Sequence, residues 1–351
     1  YQVKLRRLSS THCTETLFLM GQQPIFVYPK SHLYNILIFV IFSIVSYPSS
    51  SNLSFDFYAT SCPTAEVMVK NTVRSASSFD PTLPGKLLRL LFHDCFVEGC
   101  DASVLLEGNA TERTDPGNRS LGGFAVIDSA KRVLEIFCPG TVSCADILVL
   151  AARDAVEIAG GPGIQIPTGR RDGRVSAASN VRPNIVDTSF TMDEMIKIFS
   201  VKGLSINDLV TLSGAHTIGS AHCSSFSDRF QVNSNGKLTL IDASLDKDYA
   251  AELTRQCPVG ASTSITVNND PETPILFDNQ YYKDLLAHRG LFQSDSVLLN
   301  DKRTMNRVMD FANDQRSFLD SWGQSFLKLA SIGVKTGVDG EIRRSCSVTN
   351  G

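Results

Sequence analysis

Cysteine pairing constrains this chain more than any other feature of its sequence. Eight cysteines follow an apolar amino-terminal segment, and a ninth, Cys13, precedes it. An even number in an exported chain is typical of a disulfide framework, although eight cysteines can pair in about a hundred ways. Zinc binding is the alternative, but a paired C-x-x-C spacing is absent from the sequence, so we predict four disulfides. The eight are Cys62, Cys95, Cys100, Cys138, Cys144, Cys223, Cys257 and Cys346.

The amino-terminal residues differ in pattern from the rest of the chain. An apolar run over residues 33–47 follows a lysine and ends in a proline and several serines, which is typical of a secretory signal peptide. The alternative is a retained anchor, but a membrane helix needs about 20 apolar residues. Met20 is the only methionine ahead of the run, and a native start there would place residues 1–19 outside the protein. We predict a leader over 1–52 and a folded domain over 53–351.

Charge argues against two classes of partner. Lysine and arginine total 33 against 36 aspartate and glutamate, for a net charge of −3 and an isoelectric point near 6.1. The charges form no run of one sign, so nothing indicates binding to nucleic acid or to an anionic membrane. The part after residue 52 is long enough to bury a large core, as one domain or as two fused lobes.

Helical periodicity dominates the predicted domain. Residues 141–161 carry the clearest pattern, in which Ser143 and Asp146 form an S-x-x-D capping box before a run of apolar residues. A second helix is predicted over 84–96, with a proline near its start and apolar residues on most sides. Strand patterns are few and short, so the sequence predicts an all-α fold.

Two further helices are predicted downstream. One begins near Ser205 or Asn207, and its apolar positions recur so that His216 shares the buried face. The other covers residues 302–332 and has its aromatic residues on one side. The first of these helices would therefore carry a histidine into the core.

Histidines are few, and two of them lie in apolar helices. Arg89 and His93 are four residues apart, so they share one helical face. After the leader the only other histidines are His216, His222 and His288. From spacing alone, His93 and His216 could be satisfied core histidines, with Arg89 at the surface. A cofactor between the two helices would explain both histidines.

The segment DCFVEGCDAS offers a cluster of hard oxygen atoms. Asp94 and Asp101 supply carboxylates, Ser103 supplies a hydroxyl, and Gly99 lets backbone carbonyls turn inward. Such clusters suit calcium, although the spacing does not match the EF-hand loop. A solvated acidic turn is the alternative.

The motifs together resemble a known family. RLLFHDCFVEGCDAS (89–103) and DLVTLSGAHTIGSAHC (208–223) are similar to the distal and proximal haem motifs of class III plant peroxidases. TVSCADILVLAARDAV, PTGRRDG, FDNQYY and GLFQSD are similar to further family segments, in the family's order. The resemblance covers about residue 53 to the end, and Gly122 departs from it where the family often has arginine. It implies an all-α haem peroxidase fold in which two helical lobes sandwich haem b.

The resemblance also implies catalytic roles. His216 would be the proximal iron ligand, with Asp295 accepting the N–H of its other ring nitrogen. His93 would be the general base and then the general acid for hydrogen peroxide. Arg89 would stabilise the negative charge that develops on the leaving oxygen.

Three further residues are assigned by the resemblance. Asn118 would hold His93 in its basic form, through a chain that also involves Glu112. Phe92 would wall the haem edge. Pro167 would lie at the exposed edge where reducing substrates touch.

The resemblance implies two calcium ions and one disulfide pairing. The distal calcium residues would be Asp94, Val97, Gly99, Asp101 and Ser103, and the proximal ones Thr217, Asp270, Thr273, Leu276 and Asp278. The disulfides would be Cys62–Cys138, Cys95–Cys100, Cys144–Cys346 and Cys223–Cys257.

The expected reaction reduces hydrogen peroxide to water and oxidises two small phenolic donors by one-electron steps. The alternative is a non-catalytic secreted haem or calcium-binding protein of the same fold. The presence of all four of Arg89, His93, His216 and Asp295 argues against that alternative. A secreted zinc hydrolase would need a spacing such as H-E-x-x-H, which the sequence lacks.

We expect a secreted, monomeric protein with no membrane attachment once the signal is cleaved. Its destination, cell wall or vacuole, is left open. Sequons occur at Asn52, Asn109 and Asn118. Asn109 is the expected glycan site, because Asn118 is expected to bond His93.

Overall fold

The computed structural model describes residues 53–351, and this part is built mainly of α-helices. The signal peptide predicted within residues 1–52 lies outside the described residues. None of the described helices is long and apolar enough to cross a membrane. The eleven described helices are α1 (Ala65–Phe79), α2 (Leu83–Val97), α3 (Phe124–Phe137), α4 (Cys144–Ile158), α5 (Met192–Val201), α6 (Ile206–Ser213), α7 (Lys247–Gln256), α8 (Gln280–Leu286), α9 (Gln293–Asn300), α10 (Met305–Asn313) and α11 (Gln315–Leu329).

Strands make up little of the described chain. Four strands of three residues each form two antiparallel pairs. Strand β1 (Ser220–His222) pairs with β4 (Thr266–Asn268), and β2 (Phe230–Val232) pairs with β3 (Leu238–Leu240). The prediction of an all-α fold is confirmed.

Helix α4 lies at the centre of the largest core and packs against α1 and α2. Its start was predicted well, because Ser143 Oγ accepts a hydrogen bond from Asp146 N at 3.1 Å. The reciprocal bond of the predicted capping box is absent. Asp146 is completely buried, and its carboxylate instead pairs with the Arg170 guanidinium at 2.8 Å. A buried carboxylate is stabilised more by a cation than by one backbone N–H.

Helix α6 begins as predicted but ends before His216. Ser205 caps it in a complete capping box with Asp208. The chain then tightens into a 3₁₀ turn, Gly214–Thr217, and this turn carries His216. The single helix predicted through His216 is therefore wrong in its last turn.

Aromatic packing gives the physical reason for that tighter turn. A Cβ atom on Gly214 would lie 2.5 Å from Tyr282 Oη and 2.6 Å from the Phe318 ring. Only glycine permits so close an approach. The packing holds the turn against α8 and α11 and so sets where His216 can project.

The helix predicted over 302–332 is two helices, α10 and α11. The chain is extended at Asp314, where φ is −134° and ψ is 96°. Asp314 then caps α11, since its carboxylate accepts a hydrogen bond from Ser317 N at 3.1 Å. Aspartate competes with the helical backbone in this way at many helix starts. The aromatic face was predicted correctly, because Phe318, Trp322 and Phe326 are all buried.

Four disulfides join the same pairs that the resemblance implied. The bridge with the longest sequence separation, 202 residues, ties the start of α4 to the carboxyl end of the chain. Closing such long loops restricts the unfolded chain and so favours the folded state. The pairs are Cys62–Cys138, Cys95–Cys100, Cys144–Cys346 and Cys223–Cys257.

A close backbone contact connects the two histidine-bearing segments. A Cβ atom on Gly85, near the start of α2, would lie 2.7 Å from Gly219 Cα. Gly219 follows the turn that carries His216 and has a φ of +91°, which favours glycine. The helix of His93 therefore packs directly on the segment of His216.

Candidate active site

His93 is held in one tautomer by an amide. The His93 side chain lies on α2, and its Nδ1 is 2.7 Å from Asn118 Oδ1. The Asn118 amide is oriented in turn, because its Nδ2 donates to the Glu112 backbone carbonyl at 2.9 Å. A carbonyl oxygen only accepts, so the proton of the neutral His93 ring lies on Nδ1. Its Nε2 is left as an acceptor, with no hydrogen-bond partner among residues 53–351.

Burial keeps His93 neutral. Only 5% of the residue is exposed. Desolvation and the positive charge of Arg89 lower the pKa of His93 to about 3, although the Asn118 hydrogen bond opposes them. His93 is therefore an unprotonated imidazole at neutral pH, as a general base must be. Glu112 joins this chain through its backbone carbonyl and not through its carboxylate.

Arg89 lies one turn before His93 and keeps donors free. Its Nη1 donates to Ser120 Oγ at 3.0 Å, and weaker contacts of 3.4 Å reach the carbonyls of Ser120 and Gly117. The side chain is accessible to solvent, yet desolvation lowers the pKa of its guanidinium. A side chain that is accessible to solvent and still partly desolvated is typical of a group that lines a recess. The guanidinium remains charged.

His216 is held by a carboxylate. Its Nδ1 is 2.8 Å from Asp295 Oδ1, and 37% of the His216 side chain is exposed. Asp295 also accepts hydrogen bonds from Tyr281 Oη at 2.8 Å and from Phe292 N at 3.0 Å. Burial alone would raise the pKa of Asp295, but His216 and these hydrogen bonds outweigh it and lower the pKa. Asp295 is therefore ionised, and the Nε2 of His216 has no partner in the described chain.

Phe92 and Pro167 are both half-buried. The Phe92 ring lies 5.8 Å from His93, edge-on, and packs against Phe96 at 4.2 Å. Pro167 lies in the loop after α4, where its carbonyl accepts a hydrogen bond from Arg170 at 2.7 Å. The contacts of Phe92 fit a wall beside His93, whereas those of Pro167 do not reach the two histidines.

The carboxylates predicted near His93 do come together. We call Asp94, Asp101, Ser103 and Glu112 the distal cluster. Asp94 accepts hydrogen bonds from Ala102 N at 2.9 Å and from Val104 N at 3.3 Å, and Asp101 accepts one from Ser103 N at 3.0 Å. Burial, with repulsion from Asp101 and Glu112, raises the pKa of Asp94 well above its usual range. Burial likewise raises the pKa of Glu112 to about 8.

A cation that the sequence analysis missed belongs to the distal cluster. The Lys335 ammonium forms a salt bridge with Asp101 Oδ2. These residues are 234 positions apart, so no local pattern could have indicated the contact. The other two residues predicted here, Val97 and Gly99, lie at the end of α2 and just beyond it.

The residues predicted near His216 form a second group. We call Thr217, Asp270, Thr273 and Asp278 the proximal cluster. Each hydroxyl lies 3.1–3.3 Å from an oxygen of each carboxylate. No salt bridge within residues 53–351 involves Asp270 or Asp278. By contrast, the carboxylates of Glu272 and Asp284 both pair with Arg289. Leu276 is 45% exposed, and its backbone N–H donates to the Thr273 carbonyl at 3.0 Å.

Neither cluster gathers three or more acidic, histidine or cysteine side chains at metal-binding geometry within the described residues. A cation in either cluster would need hydroxyl and backbone carbonyl oxygens as well as carboxylates. Calcium accepts such mixed oxygen sets.

Comparison of the sequence with known proteins identifies the family of the chain. The family model described as peroxidase matches residues 69–314, and the chain belongs to the peroxidase family. It is 67% identical to Peroxidase 18 of Arabidopsis thaliana over 303 residues, which are 86% of this chain and 92% of that protein. It is 64% identical to Peroxidase 46 of the same plant over 302 residues, 86% and 93% of the two chains. It is 46% identical to Peroxidase 5 of Vitis vinifera over 316 residues, 89% and 95% of the two chains.

These similarities also show which class of peroxidase the chain belongs to. The chain is a haem peroxidase of the class III plant type. The expectations for fold class and type of enzyme are confirmed. The roles of single residues stay predictions.

Proposed function

We propose that this protein reduces hydrogen peroxide and oxidises small phenolic donors by one-electron steps, with haem b ligated by His216. One observation carries the proposal. His93 and His216 each have Nδ1 held by a partner and Nε2 without one in the described chain. Two oriented imidazoles with free acceptor nitrogens, on segments that pack together, suit a cofactor between them.

The residues around His216 fit an axial haem ligand. The imidazole is 37% exposed, and Phe292 and Tyr281 lie edge-on to it at 5.1 and 5.9 Å. A ligating histidine usually donates its other N–H to a carboxylate, as His216 does to Asp295. When bound, haem supplies an iron that can bind peroxide and exchange electrons with it and with the donor. The ionised Asp295 makes the imidazole a stronger electron donor to that iron.

His93 handles the protons of the reaction. Its Nε2 would take a proton from the inner oxygen of peroxide and return it to the outer oxygen, which leaves as water. The low pKa of His93 keeps it ready to accept that proton at neutral pH. The charge of Arg89 would stabilise the negative charge that develops on the departing oxygen.

We propose that donors approach the haem edge beside Phe92 and Pro167. Both side chains are half-buried, so each presents some surface to solvent. Donors that touch only an edge can pass electrons without receiving an oxygen atom. Small phenols suit this role because they release one electron and one proton together.

We propose calcium at the proximal cluster. Two buried carboxylates, Asp270 and Asp278, converge there without a cationic side chain from the described chain. Calcium would complete its shell with the hydroxyls of Thr217 and Thr273 and with backbone carbonyls. The distal cluster has a cationic partner, because Lys335 forms a salt bridge with Asp101, but Ser103 Oγ and Glu112 Oε2 are buried there without a hydrogen-bond partner in the described chain.

We propose that the protein is secreted and acts as a monomer, in the cell wall or the vacuole. Four disulfides support export, because such bonds persist in oxidising compartments. Mass spectrometry of the mature amino terminus would test cleavage of the leader, and light scattering would test the monomer.

An absorption spectrum tests the proposed activity most directly. The purified protein should show a Soret band that changes on adding hydrogen peroxide and returns on adding a simple phenol. His216→Ala should lose the band, whereas the matched variant His222→Ala should keep it. A wild-type protein without a Soret band, after expression with ample haem, would rule the proposal out.

A further inference from the structure

We infer that Tyr281 is a redox-active residue, which in the absence of a donor gives one electron to the oxidised cofactor and its phenolic proton to Asp295. The inference rests on the proposed function, since the oxidising equivalents come from hydrogen peroxide through the cofactor. It adds to that function an electron source inside the protein, distinct from the phenols that arrive from solution. Tyr281 would hold one of the two oxidising equivalents until a donor arrives.

Tyr281 lies in contact with the proposed iron ligand. It belongs to α8, and its ring centre is 5.9 Å from that of His216, with the two rings edge-on. Phe292 is the other aromatic neighbour of His216, at 5.1 Å. A phenylalanine ring is much harder to oxidise than a phenol, because it has no hydroxyl to feed electrons into the ring. The nearest oxidisable ring to His216 in the described chain is therefore that of Tyr281.

A proton acceptor is already bonded to the Tyr281 hydroxyl. Tyr281 Oη donates to Asp295 Oδ1 at 2.8 Å. A phenol that loses an electron becomes a strong acid, so its proton moves along this bond as the electron leaves. A carboxylate oxygen has more than one lone pair, so Oδ1 can keep its bond to His216 Nδ1. The products are a neutral tyrosyl radical and a neutral carboxylic acid, and no charge is stranded between them.

Tyr282, the next residue, lacks such an acceptor. Both tyrosines are almost completely buried, and their ring centres are 5.0 Å apart. The Tyr282 hydroxyl donates to the backbone carbonyls of Val210 at 2.9 Å and Thr211 at 3.3 Å. A backbone carbonyl accepts a hydrogen bond but does not take up the proton at neutral pH. Oxidation of Tyr282 would therefore leave a positive charge on a buried ring, which is costly.

The aromatic contacts continue to Trp322 but offer no better site. The rings of Tyr282, Phe318 and Trp322 follow one another, with centre distances of 5.0 and 6.1 Å. Trp322 is 1% exposed, and its Nε1 has no hydrogen-bond partner in the described chain. An oxidised indole there would keep its positive charge in apolar surroundings. The oxidising equivalent should therefore stop at Tyr281.

Burial also protects the oxidised tyrosine. Tyr281 is 3% exposed, so its ring is closed to phenols in solution and cannot couple with them. When an electron returns, the same hydrogen bond returns the proton from Asp295. The step is therefore reversible and leaves the protein unmodified.

Freeze-quench electron paramagnetic resonance of the full-length holoenzyme tests the inference. One equivalent of hydrogen peroxide without a donor should give a tyrosyl radical signal in the wild type, and ring-deuterated tyrosine should narrow it. Tyr281→Phe should lose the signal, because it removes the phenol and keeps the ring. Tyr282→Phe is the matched control and should keep the signal, as should Trp322→Phe.

A second readout is optical. In Tyr281→Phe, the Soret change caused by peroxide should last longer without a donor than in the wild type, because the internal electron source is lost. Tyr282→Phe should decay at the wild-type rate. A wild-type enzyme that responds to peroxide but forms no tyrosyl radical would overturn the inference, and so would a tyrosyl signal that survives in Tyr281→Phe. Failure of the proposed function would show separately, as a missing Soret band or no Soret response to peroxide.

Discussion

The two acidic clusters have similar positions along the chain but differ in whether a cationic side chain pairs with them. Asp94 directly follows His93, and Thr217 directly follows His216, so each cluster begins one residue after one of the two oriented histidines. The distal cluster includes an ammonium from Lys335, whereas the proximal cluster has no cationic partner in the described chain. Equivalent places in the two motifs therefore differ in the cationic side chain that the described chain supplies to them.

The two histidines differ in the charge of the side chain that holds Nδ1. Asn118, which is neutral, orients His93, and Asp295, which is ionised, orients His216. An amide fixes the tautomer but raises the basicity of the ring too little to offset burial and the charge of Arg89, so His93 stays neutral. A carboxylate also donates electron density to the ring, which suits a metal ligand. The charge of the partner thus distinguishes His93, the proposed base, from His216, the proposed iron ligand.

The largest expected effect is the loss of the distal base. His93→Ala should bind haem but react with peroxide about 10²–10⁴-fold more slowly, because one imidazole serves both proton transfers. Stopped-flow measurement of the Soret change would show it. His222→Ala is the control and should react at the wild-type rate. An unchanged rate in His93→Ala would mean that another group is the base.

Removing the charge on the proximal side should have the next largest effect. Asp295→Asn keeps an acceptor for His216 but removes the carboxylate, and such changes typically cost about 10–100-fold in metal affinity or activity. Haem retention and turnover with a phenol would be measured together. Asp284→Asn, at another buried carboxylate that pairs with Arg289, is the control. Equal losses in both variants would contradict a specific role for Asp295.

Removal of calcium by a chelator should weaken the proximal side. If calcium binds the proximal cluster, its removal lets Thr217 and His216 shift by a fraction of an ångström. A misplacement of about 1 Å can cost about a hundredfold, so we expect about a tenfold loss of turnover. Melting temperature should also fall, and added calcium should restore both. Unchanged turnover and melting temperature after complete removal of calcium would contradict calcium at the proximal cluster.

Placing a carboxylate beside His93 should change its pH dependence more than its rate at neutral pH. The pKa of His93 is lowered to about 3, so the base is unprotonated throughout the neutral range. A nearby opposite charge raises a pKa by about 1–3 units, so Asn118→Asp should begin to lose activity at a higher pH as acid is added. The loss at pH 7 should be under about tenfold. Rates measured from pH 4 to 7, with the Soret band monitored, would detect it; identical profiles would contradict the role of Asn118.

The smallest expected effect concerns glycosylation. Asn109 is exposed, whereas Asn118 is 2% exposed and bonded to His93. Glycopeptide mass spectrometry should find a glycan at Asn109 and none at Asn118, while Asn52 lies outside the described residues. Asn109→Gln should change stability by less than about 0.5 kcal/mol and leave the peroxide rate unaltered. Substantial occupancy at Asn118 would be incompatible with its proposed place beside the base.

Local patterns predicted the parts of the fold that depend on near neighbours. Arg89 and His93 share a face because a helix repeats every few residues, and the start of α6 follows from the side chain of Ser205. The helix over 302–332 is different, because Asp314 breaks it by capping the next helix. Its apolar pattern continues across the break and therefore hides it.

Contacts between distant segments could not be predicted in this way. His216 lies in a 3₁₀ turn because Gly214 packs against Tyr282 and Phe318. The Asp146 carboxylate pairs with Arg170 and does not form the reciprocal bond of the predicted capping box, although Asp146 N still donates to Ser143. In each case a partner from another element offers a stronger interaction than the local one.

By itself, then, the sequence determined the cysteine number, the helical class, the two histidines and the family of the chain, because these depend on residue identity and short-range spacing. Only the tertiary structure decided which charges meet. Lys335 and Asp101 are 234 residues apart, and their contact exists because the backbone after α11 lies against the loop after α2. Electrostatic interactions depend on distance in space, and the order of residues along the chain does not specify that distance.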